Sequence, residues 1–316
     1  MKPLAPIHLA LYGSGRHGQY LKKLFHGSGE SVLWSHEFEH RRSLRMPIDF
    51  RREVVPEGVV IATPDDLHAE NILELFNSGE QIWVFCEKPV ASKLGDLKKI
   101  ERCSDAELSR LFVNLPLLDS TLGDWLKELA TSQPPGRVHA VWSKSIAWDR
   151  PGARWRLSPE RNPLGVASTV GIHFLALLIS CFGTPNSLVV DVVPLPMFDG
   201  GIGTARMHLQ FSNLWSACID LSWFGPERRE IVIHQREDSE MLLGVPKRLR
   251  FSESTTGLFD DGNRRSISQF LDVVRGWKPP SGLSLLVARQ ASNWLFRSEW
   301  RIVDEIVVGS VQDSEC

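Results

Sequence analysis

Cysteine is scarce and poorly placed for cross-linking. The 316 residues hold five, Cys86, Cys103, Cys181, Cys218 and Cys316, widely spaced and never as CxxC. An odd, scattered set argues against a disulfide framework or a structural zinc site and fits a reducing compartment. Tyrosine is scarcer still: Tyr12 and Tyr20 are the only two, and neither has a lysine four residues on. The Tyr-x-x-x-Lys pair of a short-chain dehydrogenase is therefore excluded. Ten histidines show neither HExxH nor any paired-ligand spacing, so no metal is expected. Excess charge of one sign is missing too, with 36 Lys and Arg against 38 Asp and Glu and a net charge of -2. No broad field attracts nucleic acid or an anionic membrane. The most lipid-like run, Val166 to Gly183, contains Thr169, His173 and Ser180, is barely the length of a membrane span and reads as a buried helix. The opening MKPLAPIHLALYGSG leads into a glycine turn rather than a cleavage site, so no export signal is read. A cytoplasmic protein with a small-molecule partner is what these absences leave.

The length suits two domains sharing a cleft. Ile7 to Tyr12 is an apolar run, a glycine turn follows, and Tyr20, Leu21, Leu24 and Phe25 recur at helical spacing. Ser31 to Ser35 can form a second strand, and a third is placed in the polar, basic stretch from His36 to Arg52. Val59 to Ala62 reads as a strand, Asp65 as a helix cap, and Leu67, Ile72, Leu73 and Phe76 as the apolar face of the helix that Gly79 ends. Ile82 to Cys86 is a fully apolar strand of the kind buried in parallel sheets. Strands alternating with helices predict a doubly wound α/β domain. The second half has another rhythm. Arg137 to Trp148, Leu188 to Val193, Ile231 to His234 and Met241 to Leu243 read as strands. Thr204 to Phe211 and Leu214 to Trp223 form a hairpin about Ser212-Asn213. Mainly antiparallel sheet is expected, with one long helix before it and one after, near Leu283 to Arg301. The boundary is placed near Leu118, giving domains 1–118 and 119–316.

Gly13-Ser14-Gly15-Arg16-His17-Gly18 fits GxGxxG. The first glycine makes the turn, the second lets backbone approach a pyrophosphate, and the third lets helix pack close on strand. Unpaired N–H groups at the helix start can then meet phosphate oxygens. A ribose-binding acid is expected about 20 residues on; Glu37 is the candidate, a solvated loop acid being the other reading. Arg41 and Arg42 could hold a 2′-phosphate instead. The cofactor is NAD or NADP, with NADP favoured.

Cys86-Glu87-Lys88-Pro89 ends a buried strand with two charges and a residue that stops the ladder. In doubly wound sheets ligands sit just outside those strand ends, where the Lys88 ammonium can hold a substrate hydroxyl and stabilise alkoxide charge as hydride leaves. The proline could be cis, which would aim the side chain into the cleft. These residues resemble the glucose-fructose oxidoreductase, inositol dehydrogenase and rhizopine catabolism (Gfo/Idh/MocA) family. The matching elements are the glycine turn, Ala62-Thr63-Pro64 followed by His68, Cys86-Glu87-Lys88-Pro89-Val90-Ala91, Asn114 in the next strand, and Gly171-Ile172-His173. The resemblance implies a Rossmann domain followed by an α/β domain with a large open sheet used for oligomerisation, NAD(P), and a sugar, cyclitol or nucleotide-sugar-like substrate. It also implies Lys88 as the catalytic lysine, His173 as acid/base, Glu87 near the nicotinamide ribose, and Thr63, Pro64 and His68 on the cofactor side. On residue type alone, a histidine inside VGIHFLALLISCFG reads as core. The family's dehydrogenases carry aspartates where this chain has Thr169 and Ala176. A hydroxyl at Thr169 can share a helix face with His173 but supplies no charge for an imidazolium. Lys88, His173 and Thr169 form the expected catalytic set, with Asn114, Arg154 and Trp155 toward substrate; Asp149, Arg150 and Arg156 share the latter loop. Two other readings stay open: a dinucleotide or sugar sensor of the same fold without chemistry, and an NAD-using glycosidase or lyase.

Overall fold

The first strand, Ile7–Tyr12 (β1), is apolar apart from His8 and can be buried on both faces. The computed structural model describes residues 5–29, 31–38, 55–132, 136–146, 154–235, 248–251, 256–280 and 282–308. β1 joins Val32–Phe38 (β2), Gly58–Ile61 (β3), Trp83–Glu87 (β4) and Leu111–Asn114 (β5) in a parallel sheet of order β2-β1-β3-β4-β5. Parallel neighbours need crossovers, and among the described residues helices supply them: Arg16–His26 (α1), His68–Asn77 (α2) and Leu94–Ile100 (α3) with the short Asp105–Leu108 (α4); Thr121–Ser132 (α5) then leads out of the sheet. The chain leaves β1 toward β2 on one side and returns at β3 on the other, so a crevice opens above the C-terminal ends of β1 and β3. Residues 36–38 of the expected third strand extend β2. The rest of that stretch, with Arg41 and Arg42, lies outside the described residues, as do Asp149, Arg150 and Met241 to Leu243.

The second sheet holds Gly136–Ser143 (β6), Pro185–Leu195 (β7), Gly201–Phe211 (β8), Ser216–Ser222 (β9), Arg228–Gln235 (β10), Arg248–Phe251 (β11) and Glu299–Ile302 (β12), in the order β11-β10-β6-β9-β8-β7-β12. Pairing is parallel for β6 with β9 and β7 with β12, and antiparallel elsewhere. The lipid-like run becomes a helix, Ile172–Phe182 (α6), entered through a π-helical turn at Ala167–Gly171. It is apolar on all sides because it is buried on all sides, between the second sheet and neighbouring helices. No helix among the described residues is long and apolar enough to cross a membrane.

Two helices follow the second sheet's main strands, where one was expected. Leu283–Arg297 (α8) stops short of Arg301, and Glu299–Ile302 is strand β12 instead. Thr256–Val274 (α7) was not foreseen, because its first half is glycine-bearing and polar. Its second half turns Ile267, Phe270 and Leu271 onto Ile7, Leu9, Leu11 and Phe25. The chain therefore crosses back to cover one face of the first sheet.

On β9, fully buried Asp220 holds the Arg206 fork through Nε at 2.5 Å and Nη2 at 3.0 Å, with His139 Nε2 at 3.3 Å. Burial alone would raise this carboxyl, but His139 and Arg206 bring it down to about 2. A depressed folded-state pKa stabilises the protein above the unfolded value and stops doing so as pH falls through the folded one. Asp220→Asn should cost about 2 kcal/mol at pH 7. In denaturant melts, the gap to wild type should close from about pH 4 down to about pH 2.

Candidate active site

The glycine turn lies flat against the exit of β3. Gly13 has φ +92°, and a Cβ there would fall 2.5 Å from the Ala62 carbonyl; one on Gly18 would fall 1.9 Å from the Gly13 oxygen. Gly15 opens α1 in an extended conformation, with no acid in the first helical turn. A cradle that any side chain would fill, at a helix N-terminus without opposing charge, fits a pyrophosphate. Ser14 is part-exposed, and Arg16 and His17 stand at the exposed rim. Glu37 does reach the end of β2, but its carboxylate is engaged: Gln19 Nε2 donates to it at 3.1 Å, and Lys22 of α1 pairs with it and lowers its pKa.

At the ends of β3 and β4 two loops are pinned together. Fully buried His68 places Nε2 2.8 Å from the Thr63 carbonyl and Nδ1 2.7 Å from that of Pro89. It thus braces the loops. Thr63 Oγ1 accepts from Asn71 Nδ2 at 3.0 Å, and Pro64 is buried beside it. The Lys88–Pro89 peptide is cis. Glu87 accepts from Asn114 Nδ2 at 2.6 Å and meets His17 Nε2 at 3.2 Å. Burial would raise Glu87, yet His17, Lys88 and Asn114 together hold it below the usual carboxylate range. Asn114, fully buried, also donates to Asn263 Oδ1 at 2.7 Å and leaves its own Oδ1 without a partner among the described residues.

Lys88 reaches out from β4 and donates to the backbone carbonyl of Thr169, inside the π turn. The residue keeps some exposed surface, but its ammonium is enclosed. Burial lowers its pKa, Asp65 and Glu87 oppose that, and Arg156 adds to it. One turn on, buried His173 leaves Nδ1 unpartnered among the described residues and packs edge-to-face with Phe259, ring centroids 5.2 Å apart. Burial, then the charges of Lys88 and His17, push its pKa well below the ordinary histidine value. The lysine charge, held from the end of β4, thus acts on the imidazole of α6.

Two residues behave otherwise than their spacing suggests. Thr169 does not turn its hydroxyl to His173, because it sits in a π turn rather than a regular helix. Its Oγ1 accepts from Asn162 Nδ2 at 3.1 Å and donates to Asp65 Oδ2 at 3.1 Å. Asp65, expected as a helix cap, makes no capping bond; it opens a 3₁₀ turn, Asp65–Leu67, and its carboxylate crosses to the other wall. Its neighbour Asp66 makes a second crossing, taking Arg161 Nε at 2.8 Å and Nη2 at 2.9 Å. Arg154–Leu157 forms a short turn nearby. Arg154 is exposed there, while the Arg156 guanidinium lies 4.6 Å from the Trp155 ring centroid. Asp65, Asn162 and Arg161 were missed; the only sequence signal was a doubled acid after Pro64.

Away from this cleft, His139, Cys218 and Asp220 bring ligand-type atoms within 4.8 Å of one another. The Arg206 fork already neutralises that carboxylate, so the trio reads as an ion-pair cluster. For the glycine turn, Gly18→Ala should weaken NADH or NADPH binding by at least about tenfold, equivalent to about 1.4 kcal/mol, in a fluorescence titration.

The sequence profile described as an oxidoreductase family with an NAD-binding Rossmann fold, Gfo/Idh/MocA, matches residues 44–115. No curated protein matches the chain. Among solved structures, GenD2 from gentamicin A biosynthesis, in complex with NAD, is similar with a TM-score of 0.73 at 15% identity, covering 94% of each chain. A myo-inositol 2-dehydrogenase from Lactobacillus plantarum gives 0.69 at 14%, over 92% of this chain and 97% of that one. A myo-inositol dehydrogenase from Corynebacterium glutamicum gives 0.69 at 12%, over 93% and 97%. At such identities the likeness is one of fold. The profile match, confined to residues 44–115, and the strand order β2-β1-β3-β4-β5 agree on an NAD-binding Rossmann fold for the first sheet, similar to that of the Gfo/Idh/MocA oxidoreductases.

Proposed function

We propose that the chain is an NAD(P)-dependent dehydrogenase or reductase that moves hydride between the nicotinamide and a secondary alcohol or ketone of a sugar, cyclitol or nucleotide-sugar-like substrate. The supporting observation is the Lys88 ammonium bonded to the Thr169 carbonyl, at the turn that presents His173. When bound, the nicotinamide supplies the hydride acceptor or donor. The protein's own groups manage orientation and the proton. Lys88 donates to the substrate oxygen and stabilises its developing negative charge; the burial that lowers its pKa also eases release of that proton. His173 stays neutral at ordinary pH, and its Nδ1, unpartnered among the described residues, is available to exchange a proton with a hydroxyl.

The remaining assignments follow position. The turn from Gly13 to Gly18 holds the pyrophosphate, Thr63 and Pro64 line the cofactor, and Glu87 stands at the nicotinamide ribose. Asn114 acts through Glu87, to which it is bonded. Arg154 and Trp155 face the polar rim of the substrate. Since Lys22 already offsets the Glu37 charge, a 2′-phosphate meets less repulsion there, and NADP is preferred. The dinucleotide domain is assigned to 1–118 and the substrate domain to 119–316, with α7 packed back on the former; the second sheet pairs copies into a homo-oligomer.

Lys88→Ala should lower kcat by at least about a hundredfold and leave dinucleotide affinity unchanged, measured by absorbance of the reduced nicotinamide with a panel of inositols and sugars. Activity should persist as pH falls through the ordinary histidine range, because neutral His173 is required and resists protonation. Retained turnover in Lys88→Ala would contradict the reading.

A further inference from the structure

Two carboxylates of the described residues act on Lys88, and they are held differently. Glu87 is engaged by Asn114 and His17 on its own side of the cleft. Asp65 is buried and spans the cleft to Thr169. The direction of that bond is set by its surroundings. Ser168 donates to Asn162 Oδ1 at 2.8 Å, which fixes the amide so that Asn162 Nδ2 donates to Thr169 Oγ1. The Thr169 hydrogen is then directed to Asp65 Oδ2, which accepts it. Thr169 therefore clamps both partners, Asp65 through its hydroxyl and Lys88 through its carbonyl.

We infer that Asp65 is a positioning residue, whose carboxylate is the counter-charge that keeps the Lys88 ammonium at its post opposite His173. The groups acting on Lys88 are Asp65 and Glu87, which favour its charge, and Arg156, which opposes it; His173 lies within reach of the Lys88 charge. Asp65 favours the charge of half-buried Arg156 as well. Without Asp65, only Glu87, itself engaged by Asn114 and His17, would offset the Lys88 charge against that of Arg156, and the Lys88 proton would be released more readily. No acid occupies the first turns of the helical segment, where Thr169 and Ala176 stand. The acid comes instead from the loop after β3, across the domain interface. Its relevance to turnover rests on the proposed role of Lys88.

The test uses the full chain with Asp65→Asn, which removes the charge, Asp65→Glu, which restores it, and Thr169→Val, which removes the hydroxyl alone. The pH dependence of Lys88 acetylation by acetic anhydride, read by mass spectrometry, needs no substrate. Asp65→Asn should move the onset of Lys88 reactivity down by about one pH unit. Asp65→Glu should match wild type, and Thr169→Val should move the onset far less. In turnover, Asp65→Asn should show its Lys88-dependent pH limb displaced in the same direction, with KM for the dinucleotide unchanged. If Asp65→Asn does not fold, Asp65→Ser, which leaves room for water, gives the same readout. An unmoved onset without the charge, or equal shifts in all variants, overturns the inference. Absence of turnover in wild type with the acetylation shifts intact removes the proposed reaction and leaves Asp65 in its role.

Discussion

The bond from the Lys88 ammonium to the Thr169 carbonyl joins the two halves of the molecule at the proposed active site. Each partner depends on a fold-level constraint. Lys88 stands just past the C-terminal end of β4, in a parallel sheet whose ligand crevice lies at those ends. Thr169 belongs to a π turn, an irregularity frequent at functional sites. An ammonium leaves water at considerable cost, so the enclosure is stable only with acceptors and opposite charge at hand. The carbonyl supplies the first, and Asp65 with Glu87 supplies the second.

The surrounding contacts keep that geometry from loosening. His68 bridges the carbonyls of Thr63 and Pro89, so the loops after β3 and β4 move together. Asn114 and His17 hold Glu87 from either side, linking β5 and the glycine turn to the lysine loop. The Asp66–Arg161 fork is a second crossing beside Asp65–Thr169, and it fixes the approach of the walls. Groups preorganised in this way need little rearrangement when charge develops on a substrate. His173 resists protonation, with Phe259 against its ring and Nδ1 without a partner among the described residues.

Legibility in the sequence followed how local the signal was. The glycine turn, the strand from Val59 and the Glu87-Lys88-Pro89 ending all lie in short segments whose periodicity and turn residues agree. The hairpin about Ser212-Asn213 was legible for the same reason, and β8 pairs with β9 across it. Asp65 was misread because a carboxylate before a helix has two satisfying destinations, its own first turn or a distant hydroxyl, and only the three-dimensional structure selects. The π turn at Thr169 leaves no mark on hydropathy, so spacing placed its hydroxyl toward His173. Helix α7 escaped notice because its first half is glycine-bearing and polar apart from Leu258 and Phe259, and its continuous apolar face begins only in the half that meets the first sheet. Glu37 was correctly placed in the chain, yet its pairing with Lys22 depends on how α1 lies over β2.

The most direct measurement is a crystal structure of the full chain with reduced dinucleotide and a bound polyol. The account predicts the pyrophosphate over the glycine turn, the nicotinamide ring in the cleft, and one substrate oxygen within hydrogen-bond distance of both Lys88 Nζ and a His173 ring nitrogen. A ring bound elsewhere, or a substrate oxygen touching neither side chain, would contradict it.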